Sequence, residues 1–425
     1  MSSAIFNSLG SNYSQDFVDI AASGKKYPTK QQTHFEKELK ERLGNHFNGD
    51  VILTYKGRDA IELVLRPLVG NKGVPAILTQ GLACHAIEEG IVRAGLLPVY
   101  ADLEKHSLSP SVRTFEQALH RAKADGLNVV AVFVQHTLGY ANPVSEIAEF
   151  CRKNDLLLIE DLAQSFGATD RNELELGILA DAVICSFGRD KVLDSVSGGA
   201  VIFKKSYWER IGGNGEEWLL QLSPTELPPA SVLQKELMYP WITNLITSTY
   251  DVLFGKVVFQ IAKRFGFLPS PISTAVTFPT ILPAAYIALT LWQLDHLEDQ
   301  LRHRRLIAEL YMQELRDVPG IRCLVQPAAL NTDIHLRVPI LFDKPEKLQQ
   351  VLETSTANNI HITDRWYRTV VDSGSLQYET TYLVGQCPVA EFTADRLLNL
   401  PTHVKISPED AVRVANVIKE VMVQP

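Results

Sequence analysis

Short apolar runs alternate along the first half of the chain with longer segments whose apolar residues recur at helical spacing. The runs VILTY (51–55), AILT (76–79), PVYADL (98–103), VVAVFVQ (129–135), Leu156–Ile159 and Ala182–Cys185 have the length of buried strands. Between them, AIELVLRPLV (60–69), CHAIEEGIVRAG (84–95), a stretch near 112–124 and SEIAEFCRKN (145–154) predict helices. Upstream, Phe35, Leu39 and Leu43 recur every four residues and predict an amphipathic helix, preceded by an irregular arm over 1–30 that ends in GKKYPTK. Strands alternating with helices of about ten residues predict an α/β fold: a mostly parallel sheet with helices on both faces.

Beyond 205 the pattern changes. Residues 206–283 form an apolar insert whose longest charge-free stretch, Leu237–Tyr250, is shorter than the roughly 18 apolar residues of a spanning helix and contains Pro240. Helices at a subunit interface, a lid over a large substrate and a surface that touches membrane all remain open for it. From Ala284 to Leu315 helical spacing returns, with Trp292 and Tyr311 read as core and Gly320 as the stop. A strand at 335–342, a helix from Pro345 to Asn358 and a last helix capped near Ser407, with Pro408 in its first turn, predict a smaller α+β domain. The expected division is a large domain over 1–300 and a small one over 301–425.

Composition narrows the function classes. With 425 residues, 46% of them hydrophobic and 21% charged, the chain can bury a large core, and a net charge of −8 argues against a nucleic-acid surface. The five cysteines form no CxxC pair and no metal spacing, which fits a reducing, cytoplasmic setting. MSSAIFNSLGSNYSQDF lacks a charged leader and an apolar core, so no signal peptide is expected. Hydrolase elbows and Walker lysines are missing from the sequence.

Candidate chemistry lies where strands end, since ligands of open α/β sheets bind at the carboxyl edge. The run 156–159 is followed by Glu160-Asp161 and then Gln164; the run 182–185 by Ser186, Lys191 and Gly198-Gly199. An acid, a hydroxyl and a lysine placed this way suit pyridoxal phosphate: the lysine forms the Schiff base, the carboxylate keeps the ring nitrogen protonated and the hydroxyl takes a phosphate oxygen. Taken singly, Asp161 could as well cap a helix and Lys191 sit in a solvated loop. Nearer the N-terminus, the strand 51–55, then Lys56-Gly57-Arg58-Asp59, then a helix make a phosphate cup of free N–H groups, in which Asp59 could also serve as a plain cap.

The pattern EDxAQ, SFxxxK and GG resembles the DegT/StrS-type sugar aminotransferases, which are fold-type-I pyridoxal phosphate enzymes. The pieces CPVAE and NLPTH near the C-terminus resemble the same family, and the likeness spans roughly 50–205 and 284–425. It implies that Lys191 carries the cofactor, Asp161 pairs with the ring nitrogen, Gln164 faces the ring hydroxyl and Ser186 binds phosphate. It places Gly57 at the phosphate, with Arg58 where the family has threonine or serine, and Cys84 where members stack an aromatic ring; a buried cysteine could also be core filler. Arg365 and Tyr367 fall on a substrate-facing loop or an ordinary surface loop. The family's Asn-Tyr-Arg motif, which reaches a neighbouring subunit, is missing, with Pro279 and Ile281 in its place.

The resemblance implies a homodimer that moves an amino group, from glutamate, to a keto sugar carried on a nucleotide. The rival readings are a protein that keeps this fold without turnover, as a scaffold or membrane-surface partner, and amination of a non-nucleotide ketone. Lysine at 191 speaks against the dehydratase branch, which uses histidine there.

Overall fold

The computed structural model describes residues 3–23, 29–70, 73–268, 278–372 and 379–424. It begins with β1 (Ile5–Phe6), α1 (Gln15–Ser23) and α2 (Thr29–Phe47). The arm expected to be irregular is therefore ordered over much of its length, while its end at 24–28 lies outside the described residues. Buried Tyr13 and Phe17 stack at 4.7 Å, Tyr13 meets Tyr239 edge-on and Phe17 meets Trp292. Those partners lie more than 200 residues away in the chain, so no local repeat announces them.

The predicted alternation follows: β2 (Gly49–Thr54), α3 (Gly57–Leu65), β3 (Val74–Gln80), β4 (Ala83–Cys84), α4 (His85–Arg93), β5 (Leu97–Ala101), α5 (Val112–Ala124), β6 (Leu127–Gln135), α6 (Val144–Lys153), β7 (Leu157–Asp161), β8 (Ala182–Ser186) and β9 (Gly199–Lys204). Seven of these strands form one sheet in the order β2-β9-β8-β7-β6-β3-β5, and β9 alone runs against the rest. Both faces are covered. Along β6, Ala131 and Phe133 enter one core with Ile159 and Ile184, while Val132 and Val134 enter the other with Leu158 and Val183. That two-residue alternation between two dry faces is why these strands read as unbroken apolar runs. Phe133 is fully buried, and truncation to alanine would cost about 3–5 kcal/mol.

The insert folds as α7 (Lys205–Ile211), α8 (Gly215–Leu222), α9 (Ala230–Thr249) and α10 (Phe254–Arg264), with 269–277 outside the described residues. Pro240 does not end α9, which continues through it with Thr243 Oγ1 bonded back to the Tyr239 and Pro240 carbonyls. Among the described residues no helix is long and apolar enough to cross a membrane. Next come α11 (Ala284–Asp295) and α12 (Leu297–Leu315), in which Tyr311 is fully buried. The last part of the chain builds a three-stranded antiparallel sheet from β10 (Ile321–Cys323), β11 (Arg337–Phe342) and Leu397–Pro401, packed on α12 and on helices Pro345–Ala357 and Pro408–Val423. Ser407 caps the last helix in a reciprocal capping box with Asp410, behind Pro408 as expected.

Candidate active site

Because β2, β3, β6, β7 and β8 run the same way, their carboxyl ends share one edge of the sheet, and the start of β9 joins them there. A cavity of about 610 Å³ opens at that edge. Gly57, Arg58, Cys84, Asp161, Gln164, Ser186 and Lys191, the seven residues singled out from sequence, all line it.

Asp161 ends β7. Strand alternation turns Glu160 the other way, into a buried contact with His136 (3.2 Å) and the Gly177 N–H (2.9 Å), and leaves Asp161 for the cavity. Burial raises the Asp161 carboxyl above the usual range, opposed by the Ala163 N–H at 2.9 Å and by Lys191 and His136. A carboxylate in this environment is available to pair with a protonated ring nitrogen. Gln164 is fixed at both ends: its oxygen accepts from the Leu138 N–H (2.7 Å) and its amide donates to the Tyr367 hydroxyl (2.5 Å), which also accepts from Gln135 (2.9 Å). Tyr367 is thus a buried part of the cavity wall and no surface residue, and Arg365 lines the cavity while donating to the Ala394 and Leu397 carbonyls.

Ser186 ends β8 beside the first turn of α3. A Cβ built on Gly57 would stand 2.7 Å from Ser186 Oγ, and one on Gly199 would stand 2.7 Å from Gly57 Cα. No side chain caps α3, whose first turn meets Ser186 in a corner of the cavity; the Asp59 N–H there is taken by the Lys56 carbonyl, and the two glycines let Ser186 and the start of β9 pack directly against that turn. The corner fits a phosphoryl group. Arg58 reaches Glu89 at 2.9 Å from the same helix turn. Cys84 precedes α4 with its sulfur 3.8 Å from His85 Nδ1; burial pushes its thiol up, and His85, Lys191 and the Ala86 N–H together more than offset this.

Lys191 sits on a loop that is pinned from several sides. Asp194 accepts from the Asp190 and Val196 N–H groups and from the Tyr13 hydroxyl, Ser11 bonds Asp190 at 2.6 Å, and Asn12 donates to the Lys191 carbonyl at 3.2 Å. Asp190 and Val196 hold positive φ (61° and 72°), a conformation this network maintains. The Lys191 ammonium lies 5.0 Å from the centre of the Trp366 ring.

Several cavity residues escaped the sequence reading. Lys56 donates to Ser197 (2.6 Å) and Glu236 (2.8 Å), Tyr55 donates to the other Glu236 oxygen (2.5 Å), and Arg189 stacks at 4.4 Å on Tyr239. Lys56 and Arg189 lie inside quoted motifs and could have been flagged as cations near a phosphate cup; Glu236 and Tyr239 on α9 carried no local signal. Pro279 and Ile281, the positions of the missing motif, do not line the cavity, and the Ile281 N–H is taken by the Glu226 carbonyl.

Known proteins resemble this chain along most of its length. The model of the DegT/DnrJ/EryC1/StrS aminotransferase family matches residues 7–211 and 278–419, passing over most of the insert. A dTDP-4-amino-4,6-dideoxy-D-glucose transaminase of Shigella dysenteriae is 23% identical over 412 residues, covering 95% of this chain and 94% of the relative. A GDP-perosamine synthase of Vibrio cholerae is 27% identical over 192 residues, 45% of this chain and 48% of its own. Among solved structures, a DegT DnrJ EryC1 StrS aminotransferase from Brucella abortus superposes with a TM-score of 0.66 at 20% identity, covering 96% of this chain and 95% of its own. Helicobacter pylori PseC, an aminotransferase involved in the biosynthesis of pseudoaminic acid, gives 0.68 at 16% identity with 99% of each chain covered.

Proposed function

We propose that this chain, which belongs to the DegT/DnrJ/EryC1/StrS aminotransferase family and is a pyridoxal phosphate-dependent aminotransferase, moves an amino group from glutamate to a keto sugar carried on a nucleotide. The observation that carries this reading is the convergence of Lys191, Asp161, Ser186 and Gly57 on one cavity at the carboxyl edge of the sheet. When bound, pyridoxal phosphate supplies an aldehyde for covalent attachment and a ring that withdraws electrons from the substrate carbon.

The chain's own residues take the remaining roles. Lys191 would hold the cofactor and, as base and acid, would move the proton at the substrate carbon. Asp161 provides the negative charge for a protonated ring nitrogen. Ser186 and the α3 N–H groups hold the phosphate, Gln164 and Tyr367 form the wall beside the ring, and the partner network around Asp194 keeps the Lys191 loop in place. The nucleotide-linked acceptor draws on the names of relatives that cover most of the chain's length. A homodimer belongs to the same reading and is checked by light scattering on the purified protein.

The test is the visible spectrum of the protein with pyridoxal phosphate, beside Lys191→Ala, before and after borohydride. A lysine-dependent band that bleaches with glutamate and returns with a nucleotide-linked keto sugar supports the reading. Return with small keto acids alone would move the acceptor outside the nucleotide sugars. No band in either protein would bring forward the scaffold reading.

A further inference from the structure

Two buried cations that no motif assigns stand at the phosphate corner. Lys56 precedes Gly57, bridges to Gly198 and donates to Ser197, while Arg189 occupies the loop between Ser186 and Lys191; all of these line the cavity. Both cations are more than nine-tenths buried. Two of the groups that face them, Glu236 and Tyr239, stand three positions apart on α9 and so on the same side of it, while the Tyr55 ring lies 4.4 Å from the Lys56 ammonium. The Glu236 carboxylate pairs with Lys56, and Arg189 acts electrostatically on the buried Asp190 beside it. Burying cations is costly unless anions compensate them, and the cavity beside these groups is also lined by Gly57 and Ser186. Burial pushes the Lys56 ammonium down from the ordinary lysine range, with the Glu236 carboxylate opposing.

We propose that Lys56, held by Glu236 and backed by Arg189, binds the phosphoryl group of pyridoxal phosphate, and that α9 sets its position from within the same chain. This rests on the cofactor reading above and adds to it the cation that neutralises the phosphate. The insert thereby acquires a role of its own, since α9 is a wall of the cofactor site. A phosphoryl group could also arrive on a nucleotide-linked acceptor, so the decisive comparison uses pyridoxal phosphate against pyridoxal, which differ only in that group, with no acceptor present.

The dissociation constants of both compounds are measured for the apoprotein forms of wild type, Lys56→Gln, Glu236→Gln and the double variant. The preference for the phosphorylated compound should fall at least about tenfold in Lys56→Gln, the loss of one charge-assisted hydrogen bond. It should rise in Glu236→Gln, where a carboxylate competing for Lys56 is gone. A bridge that merely braced the wall would move both variants the same way, and that result, or an unchanged preference in Lys56→Gln, overturns the proposal. Should Lys56→Gln fail to fold with Glu236 left unpaired, the double variant decides by the same fall or its absence. Binding of neither compound by the wild type would take down the cofactor reading and this inference together, whereas binding with an unmoved preference takes down this inference alone.

Discussion

The side-chain amide of Gln164 lies 2.5 Å from the hydroxyl oxygen of Tyr367, joining residues 203 positions apart across the cavity floor. Gln135 donates to the same oxygen, so one phenol satisfies two buried amides. Tyr367→Phe keeps the ring, strands the Gln164 donor and leaves the Gln135 amide with Thr137 alone. It should cost about 1–3 kcal/mol in urea denaturation, and amino transfer should drop as Gln164 loses its fixed orientation.

Asp161→Asn preserves volume and an oxygen for the Ala163 N–H but removes the charge. Amino transfer should slow by roughly 10²–10³-fold, the range for losing a preorganised electrostatic partner. Cofactor should still be fixed on Lys191 by borohydride. Wild-type rates in this variant would show that the charge plays no part.

Gly57→Ala puts a methyl group 2.7 Å from Ser186 Oγ. The serine must turn out of the phosphate corner or the helix must shift, at about 1–3 kcal/mol. Pyridoxal phosphate affinity should fall by about tenfold or more while pyridoxal affinity changes less; equal losses would point to general collapse of the wall.

His335 is buried between the Tyr140 hydroxyl (3.1 Å) and the Leu330 carbonyl (2.9 Å), and burial pushes its imidazole down to about 4. The unfolded chain, with histidine near 6.5, binds the proton first on acidification, so between pH 6.5 and 4 stability falls as pH falls. The fall attributable to this residue is on the order of 3 kcal/mol. His335→Gln should flatten that part of the pH profile, measured by urea denaturation at several pH values.

What the sequence made legible was local. EDxAQ and SFxxxK each pack their chemistry into a few positions after a strand, and a strand end dictates where such residues point; Asp161, Ser186 and Lys191 could therefore be located without the fold. Gly57 was legible for the same reason. Lys56 stood beside it with no role assigned, because its significance depends on Glu236, 180 residues away. The N-terminal arm was misread as irregular since its aromatic residues match partners on α9 and α11 and have no period of their own. Tyr367 could not be sorted between loop and site, as only its two amide partners, from the end of β6 and the segment after β7, tell which.

Phe6 and Leu9 belong to the cavity wall, and so do Trp366, Tyr367 and Asp372. β1 is fastened to Ile360–His361, and Arg337 bonds both Asn7 and Ser8. Synthesis on the ribosome therefore cannot finish the pocket until residue 372 has emerged, however early the central sheet forms. On the cofactor reading, pyridoxal phosphate would be a late ligand, meeting a complete pocket only once the N-terminal segment and residues 361–372 have closed on the loop of Lys191. By mass action it stabilises the assembled form over any partly made one.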